Sequence, residues 1–80
     1  MNQKISESNY RSRVHAAIRT LPSNERQVIE LLLQGYRIDS EDESVITIAK
    51  ILSCSEKTVR NRRDRAVATV LRMLKEEEDQ

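Results

Sequence analysis

The sequence has no tryptophan and no phenylalanine, and its two tyrosines are Tyr10 and Tyr36. Recognition of RNA by stacking unpaired bases on aromatic faces therefore has almost no platform here. One glycine and one proline leave too few turn-formers for a fold of many short strands. A single cysteine, Cys54, excludes an internal disulfide and a cysteine-based zinc site, and fits a reducing, cytoplasmic setting. No apolar run approaches the length of a membrane span, and the N-terminal "MNQKISESNY" lacks a signal-peptide core. Surplus charge is missing too: 14 Lys and Arg face 13 Asp and Glu, a net charge of +1.

What the 80 residues do contain is Leu, Ile, Ala, Arg, Lys and Glu, the composition of one small all-α domain near the size where a single core becomes marginal. The charge is sorted rather than mixed. "DSEDE" (39–43) and "EEEDQ" (76–80) are acidic. Arg11, Arg13, Arg19 and Arg26 make the first part basic, and Lys57, Arg60, Arg62, Arg63 and Arg65 form the densest basic stretch. A near-zero total thus hides a polar layout, the footprint of a phosphate binder with repelling ends.

Four helices are expected. Residues 1–8 are polar and read as a disordered N-terminus. Val14, Ala17, Ile18 and Leu21 then recur at helical spacing. Pro22 ends that helix, because the residue before a proline disfavours the helical conformation. Ser23 is placed to cap a second helix, with Glu25 in its first turn. That helix carries Val28, Ile29, Leu31, Leu32 and Leu33 and ends near Gly35, a left-handed C-cap. Residues 9–35 make this first pair, and 36–43 form an acidic connector with too much charge to bury.

Residues 44–76 hold the second pair. "VITIAKIL" places Val45, Ile48, Ala49 and Leu52 on one face, with either Ser44 or the box Ser40/Glu43 at its start. "SCS" breaks it, and Ser55 caps a long last helix from Glu56 to about Glu76. Val59, Ala66, Val70, Leu71 and Leu74 are its expected inner stripe. Residues 77–80 are an acidic tail.

Helix, three-residue turn, basic helix is a helix-turn-helix, and its physics asks for residue types at fixed offsets. A small residue must sit where the helices cross, and Ala49 supplies it. Ile48, Leu52, Cys54 and Val59 lock the pair. The second helix then presents polar residues to the major groove from its N-terminal half. Glu56, Lys57, Arg60 and Asn61 project there for base edges, while Thr58, Arg62, Arg63 and Arg65 are better placed for phosphates. Such turns commonly have Gly where this chain has Ser53. The bland alternative is a bundle with a solvated basic face. Against it stands the imbalance of five cations and two anions, Glu56 and Asp64, where a face built for solubility would alternate signs at i,i+4.

"LPSNERQVIELLLQG" followed by "IAKILSCSEKTVRNRRDRAVATVLRML" resembles region four of the sigma factors of bacterial RNA polymerase. The shared features are Leu21-Pro22, the spaced Arg26, the apolar helix to Gly35, the helix-turn-helix, the Arg65-Ala66 pair and the Leu-rich tail, spanning about residues 10 to 75. The resemblance implies a four-helix, winged-helix-like architecture without a wing. It implies reading of the −35 promoter element, docking on the flap of the polymerase β subunit, and occlusion by an anti-sigma factor. By match of position, Lys57, Arg60 and Asn61, with Glu56 beside them, would read bases, and Arg62, Arg63 and Arg65 would touch the backbone. The chain departs from the family in three ways. The connector 36–43 is of the length found in primary rather than compact sigma factors, Arg63 stands where many members are apolar, and region two is not in the sequence. The last implies a fragment of an initiation factor or a stand-alone region-four-like protein. "SEKTVRN" also resembles the output domains of response regulators, a second DNA-binding reading, and a protein-interaction module of the same fold is the rival class.

The remaining chemistry is thin. His15 has no carboxylate or cysteine at ligand spacing and reads as a surface residue. Cys54 reads as a buried, inert plug in the turn. The acidic run 76–79 reads as a solvated helix end rather than a metal site. There is no Gly-rich phosphate loop, no Ser-His-Asp set and no carboxylate pair in a plausible pocket. The expectation is therefore no enzyme, no cofactor, no metal and no small-molecule substrate.

Overall fold

In the computed structural model, which describes residues 2–78, the chain forms α1 (Asn2–Arg19), α2 (Ser23–Leu33), α3 (Ile48–Leu52) and α4 (Glu56–Glu78), with no strand among the described residues. The all-α expectation is met. The backbone of α1 is helical from Asn2, inside the segment expected to be disordered. Nothing in residues 2–8 interrupts a helix, since neither Pro nor Gly occurs there. Of the acidic tail, residues 79–80 and the side chains of 77–80 lie outside what is described.

The ends of α2 differ in how they are made. Ser23 is its first residue and not its cap. Pro22 occupies the cap position and offers only its carbonyl, which accepts from the N–H groups of Glu25 (3.0 Å) and Arg26 (2.9 Å). At the other end Gly35 has φ +99°, a left-handed conformation that glycine adopts without steric cost. The N–H of Tyr36 returns to the Leu31 carbonyl at 3.1 Å and that of Gly35 to Leu32 at 3.0 Å, the paired bonds of a Schellman stop.

α3 is shorter than the sequence suggests. Neither Ser44 nor Ser40 starts it. Thr47 is the N-cap, its hydroxyl accepting from the Lys50 N–H at 3.3 Å. The β-branched run Val45–Thr47 stays outside the helix, consistent with its low helix propensity. Ser44 is used locally instead: its hydroxyl and N–H both donate to Asp42 Oδ1, at 2.7 and 2.9 Å, closing an Asx turn. These bonds, the hydroxyl's first, hold the Asp42 carboxyl below the ordinary aspartate range, and the Lys50 charge adds to them.

α3 ends at Ser53, a non-glycine residue at φ 55°, ψ 46°. Its N–H donates to the Lys50 carbonyl (3.3 Å), and the Cys54 N–H to that of Ala49 (3.0 Å), repeating the stop seen after α2. The position where such turns commonly carry Gly is therefore left-handed here too. An L-residue pays about 1–2 kcal/mol there, and glycine's freer unfolded state returns about 0.4–1 kcal/mol. Ser53→Gly is expected to stabilise the domain by about 0.5–1 kcal/mol, read as a rise of a few degrees in Tm. A fall in Tm would show that the Ser53 side chain contributes more than its backbone costs.

Two clusters make the core. Val28, Ile38, Ile48, Ala49 and Val59 pack together, with Leu31, Leu32, Leu52 and Cys54 against them. Ile18, Leu21 and Ala66 form the second cluster, flanked by Val14, Ile29 and Val70. α4 is common to both, contacting α1, α2 and α3. Two sequence expectations are corrected. The connector is not wholly solvated, because Ile38 is buried in the first cluster and the Arg37 carbonyl accepts from the Ile48 N–H at 2.8 Å. Leu71 is not on the inner stripe of α4, being 58 % exposed. At 100° per residue it stands about 120° from the direction of Val59, whereas Ala66 and Val70 stand within about 20° of it.

Candidate nucleic-acid interface

The basic stretch lies on the first half of α4, and Ser55 sets where that helix begins. The Ser55 hydroxyl accepts from the Thr58 N–H (3.1 Å) and also donates to Thr58 Oγ1 (2.9 Å), the expected cap. Three residues of turn separate this start from the end of α3. Ile48, Ala49 and Val59 are buried at the junction, and Leu52 and Cys54 are half-buried against them, so all five expected packing residues meet. Val59 is fully buried, and that single contact fixes which way the rest of the turn points.

With Val59 inward, Lys57 and Asn61 fall on the opposite face, one turn apart, with Arg60 at its edge. Glu56, Lys57, Arg60 and Asn61 are all exposed. The four expected base-facing side chains thus form one surface. The expected phosphate contacts do not behave as a set. Arg65 is exposed. Thr58 is half-buried and engaged with the Ser55 cap. Arg62 is half-buried, its Nη1 lying 3.9 Å from Cys54 Sγ, so its guanidinium lies back along the turn. Arg63 is half-buried and its Nε pairs with Asp64 at 3.0 Å. The family's apolar preference at this position matches that inward lean, which the arginine tolerates by carrying its charged head to the surface.

One partner was not legible in the sequence. Asp39 of the connector forms an ion pair with Arg60 Nη2, and Glu56 Oε1 lies 3.8 Å from the same nitrogen. Only the placement of Ile38 in the core brings Asp39 to α4, 21 residues away along the chain. The connector is held at both ends. Besides the Arg37–Ile48 bond, Lys50 Nζ donates to the carbonyls of Glu43 (2.8 Å) and Val45 (2.9 Å). Exposed ion pairs contribute at most about 1 kcal/mol to stability, so the Asp39–Arg60 pair bears on the surface more than on the fold.

A short helix buttressed by α2, a tight left-handed turn and a second helix whose outward face is basic define a helix-turn-helix DNA-binding domain. The profile of the family Sigma-70, region 4 matches residues 17–72, and the chain belongs to that family. No curated protein and no solved structure matches it significantly. The family is one of DNA-binding domains that act with RNA polymerase in transcription initiation, and is not enzymatic. Among the described residues there is no group of His, Cys, Asp and Glu that could hold a metal, and no helix long and apolar enough to cross a membrane.

Proposed function

We propose that the domain reads a −35-type element in duplex promoter DNA, with the N-terminal half of α4 in the major groove. The observation that carries this reading is the outward face of that half, where Lys57, Arg60 and Asn61 stand exposed on a helix whose opposite side, at Val59, is fully buried. Arg60, with Lys57 and Asn61 beside it and Glu56 at the edge, contacts base edges. Arg65 contacts a phosphate; Thr58, Arg62 and Arg63, engaged with Ser55, Cys54 and Asp64, reach the backbone only by leaving those partners. Affinity is that of a single module, and the polymerase raises it by holding the domain near the promoter.

The test compares Arg60→Ala with Arg65→Ala by salt titration. The two DNAs are a hexamer selected from a randomised duplex library and its scrambled version. A good bidentate arginine–guanine contact is worth about 1–3 kcal/mol of discrimination. Arg60→Ala is therefore expected to remove most of the preference for the selected hexamer. Arg65→Ala is expected to weaken both duplexes about equally and to lower the salt slope by about one ion. If both variants weaken both DNAs alike, the helix is only a phosphate patch.

A second reading rests on other residues. Leu33, Val67 and Leu71 are exposed, at 65 %, 44 % and 58 %, with Val67 and Leu71 on the same side of α4 as Arg60 but about two and three turns further along it. They suit docking on a protein, the flap of the polymerase β subunit or an anti-sigma factor. Such a largely apolar contact keeps its strength as salt rises, whereas DNA binding that releases counterions falls steeply.

A further inference from the structure

We propose that Asp39, a residue of the connector outside the helix-turn-helix, is a specificity-determining residue: by holding Arg60 together with Glu56, it makes that arginine a reader of base edges rather than a clamp for phosphate. The inference rests on the DNA-reading role given to α4 above and assigns the acidic connector a part in it.

Asp39 is the hydrogen-bond partner of Nη2, while Glu56 at 3.8 Å is within ion-pair but not hydrogen-bond reach, so one N–H of Nη2 and those of Nε and Nη1 are left for a ligand. All three side chains remain about half exposed, at 44 % for Arg60, 51 % for Asp39 and 49 % for Glu56, so a groove can reach them. Two carboxylates around one guanidinium leave a local charge of −1. Lys57 beside them brings the local sum to zero, so a phosphate brought to Arg60 finds little of the attraction that an unpartnered arginine would offer. A guanine edge is neutral overall and presents acceptors at N7 and O6, so it needs no net positive charge and still finds donors. An unpartnered arginine on a basic helix takes the nearest phosphate in any sequence, which adds affinity without information.

Asp39 is also placed to act through geometry. The Arg37 carbonyl on one side of buried Ile38 is bonded to Ile48, so the backbone that carries Asp39 is anchored to the core. The pair then holds a long, many-rotamer side chain in one position before DNA arrives, and less ordering remains to be done on binding. The other acids of the connector are not equivalent. Asp42 is engaged with Ser44, and among the described residues no ion pair joins Glu41 or Glu43 to α4.

The experiment uses the full 80-residue chain and a duplex library with six randomised base pairs between fixed flanks. Bound pools are sequenced at two salt concentrations for the wild type, Asp39→Ala, Asp39→Glu and Arg60→Ala. Asp39→Ala is expected to bind the unselected library more tightly, with a salt slope steeper by about one ion. It should lose about tenfold in preference at the base position that Arg60→Ala also erases. Asp39→Glu, which keeps the charge, is expected to restore most of that preference. Thermal unfolding close to wild type in all variants marks the effect as one on recognition. Asp39→Ala with wild-type preference and wild-type slope overturns the proposal while leaving the DNA-reading role of α4 intact. Asp39→Ala that loses preference without any gain in unselected binding overturns it as well, since the carboxylate then acts only through the fold. A wild type that enriches no sequence removes the role of α4 itself, and this inference with it.

Discussion

Ile48→Ala is expected to cost about 2–5 kcal/mol, the range for deleting a large aliphatic side chain from a packed core. Ile48 is fully buried and belongs to the cluster in which α2, the connector, α3 and α4 all meet. A domain of 80 residues has a total stability of roughly 4–12 kcal/mol at the usual density per residue. One substitution therefore removes a large fraction of it. Alanine recovers about 0.5 kcal/mol through its better helix propensity, which does not change the outcome. Nor can the site close around the gap easily, because the Ile48 N–H is bonded to Arg37 and the preceding Thr47 caps α3. Denaturant unfolding followed by far-UV circular dichroism gives the number, and in a domain this small the Tm should fall by about 10 °C or more. A loss under about 1 kcal/mol would mean that α3 is not wedged between α2 and α4.

Ala49→Leu tests the crossing itself. Ala49 is 8 % exposed at the junction of α3 and α4, and its carbonyl accepts the Cys54 N–H that closes the turn. A leucine there has nowhere to go without moving one helix. Overpacking of this kind costs about 1–3 kcal/mol. The same substitution at exposed Ala68, further along α4, is the control and should be nearly neutral, since leucine and alanine are both good helix formers. The two variants together separate a helix-crossing effect from a general cost of leucine. DNA binding should respond as well, because spreading α3 from α4 re-aims Lys57, Arg60 and Asn61. If Ala49→Leu and Ala68→Leu unfold alike, the helices do not meet at Ala49 and the turn has been misplaced.

The elements of the fold were legible in the sequence where a local rule acts alone. The 3.6-residue spacing of Val14, Ile18 and Leu21, and of Val59, Ala66 and Val70, is a property of the helix and holds wherever the helix sits. Gly35 and Ser55 act within a few residues of themselves, so their parts in a left-handed stop and an N-cap followed from residue type. The five packing residues of the helix-turn-helix could likewise be named from their offsets, because the turn between α3 and α4 is too short to permit another register.

What the chain alone did not determine is where long-range partners compete with local ones. Two serines looked able to cap α3, yet Ser44 is bonded to Asp42 and Thr47 caps the helix. Ile38 lies among charges, and only the hollow between Val28, Ile48 and Val59 makes its burial favourable. That burial carries Asp39 to Arg60, a pairing between residues with no periodic relation in sequence. The four expected phosphate contacts divided for the same reason. The charge of Arg62, Arg63 and Arg65 was evident from the letters, but whether each guanidinium faces solvent, a neighbouring carboxylate or the Cys54 sulfur depends on its angle around α4 and on what the turn places beside it. Helix periods belong to the sequence, and the partners of long charged side chains belong to the assembled surface, because a flexible side chain settles on whichever counter-charge the fold brings within reach.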